Sequence, residues 1–257
     1  MQLFVDPRLL VGFSLALTRA AAWVTFCPPF NGPAIPVRVR IGMAVALAFV
    51  LAGPMSAQVD GDVASIGGAA FVGMLVSQVL AGLVLGYFVA ALFTVVQTAG
   101  ELIDLQVGFS MGAVLDPITG NNSSPIGRFY QLMATAVLFA INGHVLVVGA
   151  FVRSVEVAPL GQIDVEAAIE SFGRLLGVLL VAALEIALPV LAALFCAELA
   201  LGFLGKAAPQ LNILVIGFAA KSFITFGLLG ATLLLLPETM DSLLGTAIRS
   251  AFGVFGG

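Results

Sequence analysis

Residues Val63–Ala99 read VASIGGAAFVGMLVSQVLAGLVLGYFVAALFTVVQTA, without one Asp, Glu, Lys or Arg. As a continuous helix this stretch would extend roughly 55 Å at about 1.5 Å per residue, against a hydrocarbon core about 30 Å thick. It must therefore tilt strongly, break, or leave the bilayer. The pair Gly67-Gly68 marks a candidate break, and Gly82-xxx-Gly86 offers a small-residue face on which another helix can pack closely.

The rest of the chain has the same character. Of 257 residues, 61% are hydrophobic and 9% charged, and the mean hydropathy is +1.16. An ordinary soluble domain is about 45–50% apolar and about 25% charged, so a soluble enzyme is excluded. Ten Lys/Arg against fourteen Asp/Glu give a formal charge of -4, which argues against a nucleic-acid binder, because phosphate recognition needs clustered cations. Charge-free gaps also run from Arg40 to Asp60 and from Arg128 to Arg153. Cys27 and Cys196 lie in separate apolar runs without a CxxC, and are expected as reduced, buried thiols.

A spanning helix needs about 20 mostly apolar residues, and six segments qualify or nearly so: Leu9–Cys27, Ile41–Met55, Val63–Ala99, Phe129–Val152, Leu175–Phe203 and Leu211–Leu236. The first is read as retained, because Asp6 and Arg8 replace the basic opening of a signal peptide. Prolines separate the segments: Pro28, Pro29, Pro33 and Pro36, then Pro54, Pro117, Pro209 and Pro237. The fold class expected is an all-α membrane protein. Arg38 and Arg40 in the first connection, Lys206 in the fifth, and the acidic fourth connection place both termini outside the cytoplasm.

Catalytic and cofactor signatures fail one by one. His144 is the only histidine, flanked by Gly143 and aliphatics, and is read as a hydrogen-bonding residue between helices. Gly205-Lys206 lacks the leading glycine of a phosphate loop, since position 200 is Ala200. Ser124-Pro125 is read as an N-cap followed by a first-turn proline. No catalytic residue, metal site or cofactor is expected.

Charges inside apolar helices are costly enough to be functional candidates, and Glu185, Glu198 and Lys221 are of this kind. If residues 204–210 form a tight turn, the antiparallel register brings Glu198 within about one helical turn of Lys221. The two glutamates stand about 220° apart at about 100° per residue, so they share no face. An ion pair for folding or assembly is therefore favoured over a proton relay. A secondary transporter with Glu185 and Glu198 as proton sites is the alternative.

The segment from Gly100 to Pro117, GELIDLQVGFSMGAVLDP, is the least ordinary. An uncharged Gly/Phe/Met stretch follows Glu101 and Asp104, where a soluble loop would be polar. Irregular backbone at membrane depth is tolerated only when protein buries it or it lines a cavity. Two readings stay open here: an apolar constriction that blocks a pore by dewetting, and a re-entrant loop packed for stability.

Glu101 to Pro117 resembles the G-E-x-x-D-x-Q-x-G…D-P stretch of the FliR family of flagellar biosynthetic proteins. Glu198-Leu-Ala-Leu-Gly202, Pro209-Gln210-Leu211-Asn212 and Lys221 are similar to its second signature. Arg19, Phe26, Pro29, Phe30, Ile35, Pro36 and Arg40 resemble its N-terminal pattern. The resemblance covers nearly the whole chain and implies one export-gate domain over 1–257. It implies helical hairpins in a heteromeric gate of the type III export apparatus, at the inner membrane in the flagellar basal body. The partners implied are FliP and FliQ, with FlhB and FlhA, surrounding lipid, and the unfolded proteins exported. It further implies a re-entrant pore loop whose plug maps onto Val107, Gly108, Phe109, Ser110, Met111 and Gly112, with Phe109 and Met111 as the bulky groups. Glu198, Gln210, Asn212 and Lys221 would be inter-subunit or hairpin contacts. The equivalent subunit of a virulence secretion system shares these motifs.

Overall fold

The computed structural model describes residues 6–32, 35–59, 67–109, 124–158 and 165–255, with the backbone alone over 165–168. Every regular element among them is an α-helix: α1 (Pro7–Phe26), α2 (Val37–Ser56), α3 (Gly68–Val107), α4 (Pro125–Ala140), α5 (Gly143–Val157), α6 (Val165–Ala207) and α7 (Ile213–Gly253). Five are long and apolar enough to cross a membrane; α4 and α5, bent by 77° after Ala140, make a sixth if the pair counts as one broken span and a re-entrant pair otherwise. The break falls at Ile141-Asn142, where Asn142 takes a left-handed φ of 57°. Asn tolerates that conformation better than β-branched residues do. The protein is an all-α membrane protein.

From Gly68 to Val107 the overlong third segment is one unbroken helix of 40 residues; Gly67 stands outside it, and residues 63–66 lie outside the described residues. Gly68 opens α3 and does not interrupt it. The α6 and α7 helices are as long, at 43 and 41 residues, and both continue beyond their apolar cores. Pro237 does not end the last helix as expected: α7 runs through it to Gly253. Pro54 likewise lies inside α2. A proline removes one hydrogen bond, and neighbouring groups can re-satisfy the freed carbonyl.

By packing, the chain divides into two units, to both of which α3, α6 and α7 contribute. Met1–Ala91, Asn142–Leu176 and Leu244–Gly257 make the first. There α1 and α2 form an antiparallel hairpin, with Phe13 and Phe49 ring centroids 4.9 Å apart, and Trp23 stacks on Phe151 at 4.5 Å. Gly82 and Gly86 receive α1 as the small-residue motif requires. A Cβ on Gly82 would lie 2.9 Å from the Ala22 Cβ and closer still to the Arg19 carbonyl, and one on Gly86 would lie 3.1 Å from the Phe26 Cβ. This contact gives a test of sign. Gly→Ala inside a helix normally gains about 1 kcal/mol, whereas overpacking costs about 1–3 kcal/mol. Gly82→Ala is expected to lower the amount of folded protein recovered from membranes, and Gly73→Ala, with open space at its Cβ, to leave it unchanged or higher.

Leu92–Ile141 and Gly177–Leu243 make the second unit. The end of α3 meets the start of α4 at a glycine pair, where a Cβ on Gly100 would approach the Gly127 Cα to 2.6 Å. The Tyr130 and Thr232 hydroxyls share a buried hydrogen bond of 2.6 Å between α4 and α7. Along α6 and α7 large apolar side chains face outward, among them Leu214, Phe223 and Leu234, the last 82% exposed. Monomeric soluble proteins rarely expose such surface; lipid or partner chains must cover it.

Candidate functional site

Val107 ends α3, and Gly108 follows with φ of 100°, a left-handed conformation that suits glycine at a helix C-terminus. Its N–H donates to the Asp104 carbonyl at 2.9 Å, closing the last turn. The chain then presents Phe109, whose ring meets Phe218 edge-on at a centroid distance of 5.5 Å and Phe226 at 6.3 Å, both on α7. Of the expected plug residues, Ser110, Met111 and Gly112 lie outside the described residues.

A charge clamp stands beside this turn. Lys221 Nζ lies 3.1 Å from Glu198 Oε1 and donates to the Gln106 carbonyl at 3.3 Å. Gln106 Nε2 donates to the other Glu198 oxygen at 2.7 Å. Lysine thus serves both a carboxylate and one of the last carbonyls of α3, where the helix dipole is negative. The clamp borders a cavity of about 550 Å³ lined by Leu105, Val107, Leu201, Ile213, Leu214 and Phe218 among others.

The other expected site residues are spread. Asn212 Oδ1 accepts from the Val215 N–H at 3.4 Å, ahead of α7, and Gln210 is exposed in the α6–α7 connection. Glu185 and Glu198, read from sequence as buried, are exposed in the folded chain; only Lys221 is largely covered, with 15% of its side chain exposed. The reason is positional: the two glutamates lie on faces of α6 that they share with the exposed Leu184, Leu188, Phe195 and Leu199, and not on the buried side occupied by Ile186, Ala187 and Leu194. Cys196 departs from expectation in the same way, being exposed while Cys27 is buried.

Sequence reasoning missed two polar centres. Asp104 is fully buried, and its Oδ2 accepts from the Ser124 hydroxyl and from the Ile126 N–H at 3.0 Å. A carboxylate at the start of α4 complements its dipole, while Ser124 caps the same helix through the Gly127 N–H at 2.8 Å, as the Ser-Pro pair predicts. In the first unit Arg19, also fully buried, donates through Nε to Gln78 Oε1 at 2.7 Å, through Nη1 to the Ser154 hydroxyl at 3.2 Å and through Nη2 to the Ala158 carbonyl at 2.8 Å. Ala158 caps the C-terminus of α5, so the cation again meets the negative end of a helix. The resemblance picks out both positions by residue type, but no local spacing points to their partners.

Comparison with known proteins covers this entire framework. The family described as bacterial export proteins, family 1, matches residues 10–247. Flagellar biosynthetic protein FliR of Pectobacterium carotovorum subsp. carotovorum is 31% identical over 90% of this chain and 87% of its own length. FliR of Bacillus subtilis (strain 168) is 30% identical over 85% of this chain and 84% of its own. Surface presentation of antigens protein SpaR of Shigella flexneri is 26% identical over 80% and 78%. The matched residues include the α3 terminus, the Glu198–Lys221 clamp and the Arg19 centre, and the chain belongs to the bacterial export proteins, family 1, as a member of the FliR family.

Proposed function

We propose that this chain is a channel subunit of the flagellar type III export apparatus, a multi-pass protein of the bacterial inner membrane through whose assembly unfolded flagellar proteins are exported. Its near full-length correspondence to FliR proteins carries this reading. The flagellar assignment is favoured over the virulence one because the FliR proteins of Pectobacterium carotovorum and Bacillus subtilis match at higher identity and over more of the chain than SpaR of Shigella flexneri does. The whole chain acts as one export-gate domain, without catalysis of its own, and assembles with FliP and FliQ, with FlhB and FlhA as further components. Its outward apolar faces on α6 and α7 supply the surface that such an assembly would cover.

Within that assembly, Val107–Gly112 plug the pore. The support is local: a left-handed glycine ends α3, and Phe109 rests on an aromatic seat in an uncharged stretch. An apolar constriction excludes ions by dewetting, so removing its bulk opens it. Purified complexes carrying Phe109→Gly and Met111→Gly are expected to pass ions in a planar bilayer at a conductance several-fold above that of the unaltered complex, while export of flagellar proteins persists. Equal conductance would remove the plug assignment.

A further inference from the structure

The clamp beside α3 has a geometry that an ion pair alone does not need. Glu198 and Lys221 face each other across the α6–α7 connection and could pair without touching α3. Instead, Gln106 engages both partners: its side-chain amide donates to Glu198 Oε2 and its backbone carbonyl accepts from the Lys221 ammonium, while Glu198 Oε1 is left to the lysine. Gln106 stands one residue before the last residue of α3 and three before Phe109. We infer that Gln106, Glu198 and Lys221 form a latch that fixes the last turn of α3 and thereby holds Phe109 on Phe218 and Phe226. This deepens the plug reading and rests on it: Gln106 and Lys221 become positioning residues for the gate.

The chemistry of the latch is directional. The Gln106 carbonyl is one of four at the end of α3 that lack a partner in the next turn, and it can only accept. Position 221 must therefore carry a donor, and a cation there also complements the helix dipole. Glu198 accepts from Gln106 and neutralises the lysine, so that the cation enters this largely covered place at a reduced desolvation cost. With Lys221 lost, the carbonyl keeps no donor from α7. Glycine at 108, with its wide backbone freedom, then allows the chain beyond it to swing off the aromatic seat.

Backbone hydrogen exchange of the assembled complex in detergent reads the latch directly, and it does so independently of any pore. In Lys221→Met, amides in a peptide spanning 105–109 are expected to exchange at least several-fold faster, while those at 92–99 on the same helix stay as in the parent. Gln106→Leu, which spares the carbonyl bond, is expected to give a smaller increase, and Lys221→Arg to restore protection. The charge-swapped pair Glu198→Lys with Lys221→Glu keeps an ion pair but places an acceptor against the Gln106 carbonyl. It should therefore exchange as fast as Lys221→Met. Protection restored by the swap, or unchanged in both Gln106→Leu and Lys221→Met, would overturn the latch. If Lys221→Met does not assemble, Gln106→Leu alone decides: parent-like exchange overturns the latch, faster exchange at 105–109 supports it. Faster exchange without raised ion conductance would leave the latch standing and count against the plug reading instead.

Discussion

Arg19→Met is expected to abolish recovery of folded protein from membranes, and Arg19→Lys to fail as a rescue. The guanidinium is wholly enclosed and divides its donors among α3, through Gln78, and the end of α5, through Ser154 and Ala158. Methionine matches the volume but leaves the Gln78 amide oxygen and the Ala158 carbonyl without this donor, while the Ser154 hydroxyl keeps its bond to the Phe151 carbonyl, and each orphaned group costs about 1–3 kcal/mol. Because the acceptors share one donor their costs do not add fully, yet about 3 kcal/mol is a large part of the margin of an ordinary domain. Lysine keeps the charge on a single nitrogen and cannot reproduce the planar fork. Steady-state abundance by immunoblot, with thermal stability of the solubilised protein, checks the expectation; parent-like values for Arg19→Met would contradict it.

The second large effect concerns the clamp. Lys221→Ala is expected to reduce recovery of the assembled complex roughly tenfold, because removing one partner of a covered pair strands the other, at a cost of a few kcal/mol when fully buried and less where, as here, Glu198 is half exposed. Adding Glu198→Ala should restore part of the loss, since no carboxylate is then left alone in apolar surroundings. Glu185→Ala serves as the comparison: among the described residues Glu185 makes no ion pair, and its removal is expected to change recovery little. A double substitution as poor as Lys221→Ala alone would show that lysine acts only through the Gln106 carbonyl and not through its charge partner.

Much of the fold is legible because apolar periodicity and punctuation are local. Six hydropathic stretches mark five long helices and the bent α4–α5 pair, Gly82-xxx-Gly86 marks the face that receives α1, and Ser124-Pro125 marks the start of α4. The Glu198–Lys221 contact also follows from local arithmetic, since a short connection fixes the register of the α6–α7 hairpin. Helix ends are less legible. Hydropathy falls at Leu236 while α7 continues to Gly253, and α6 begins at Val165, well before Leu175, through a polar stretch where Glu170 and Arg174 pair at 3.6 Å. Hydropathy reports the lipid-like portion of a helix, whereas backbone hydrogen bonding sets its length.

What escapes sequence reading is the use made of the few charges. Asp104 looks like the i,i+3 neighbour of Glu101 but caps α4 from across the unit. Arg19 meets partners 59 to 139 residues away, and no spacing rule encodes such separations. Arg19, Asp104 and Lys221 share one logic: each offsets the partial charge of a helix terminus that apolar surroundings leave without water. In a chain with so few charges, these three are placed at helix ends.

The central claim, that this chain works only as part of a heteromeric export gate, is tested most directly by purifying it with a tag from its native membrane in mild detergent and weighing the intact particle by native mass spectrometry. The account predicts one stable complex containing this chain with FliP and FliQ. A lone chain that by itself drives proton-coupled uptake into liposomes, with Glu185 or Glu198 essential for that uptake, would contradict it.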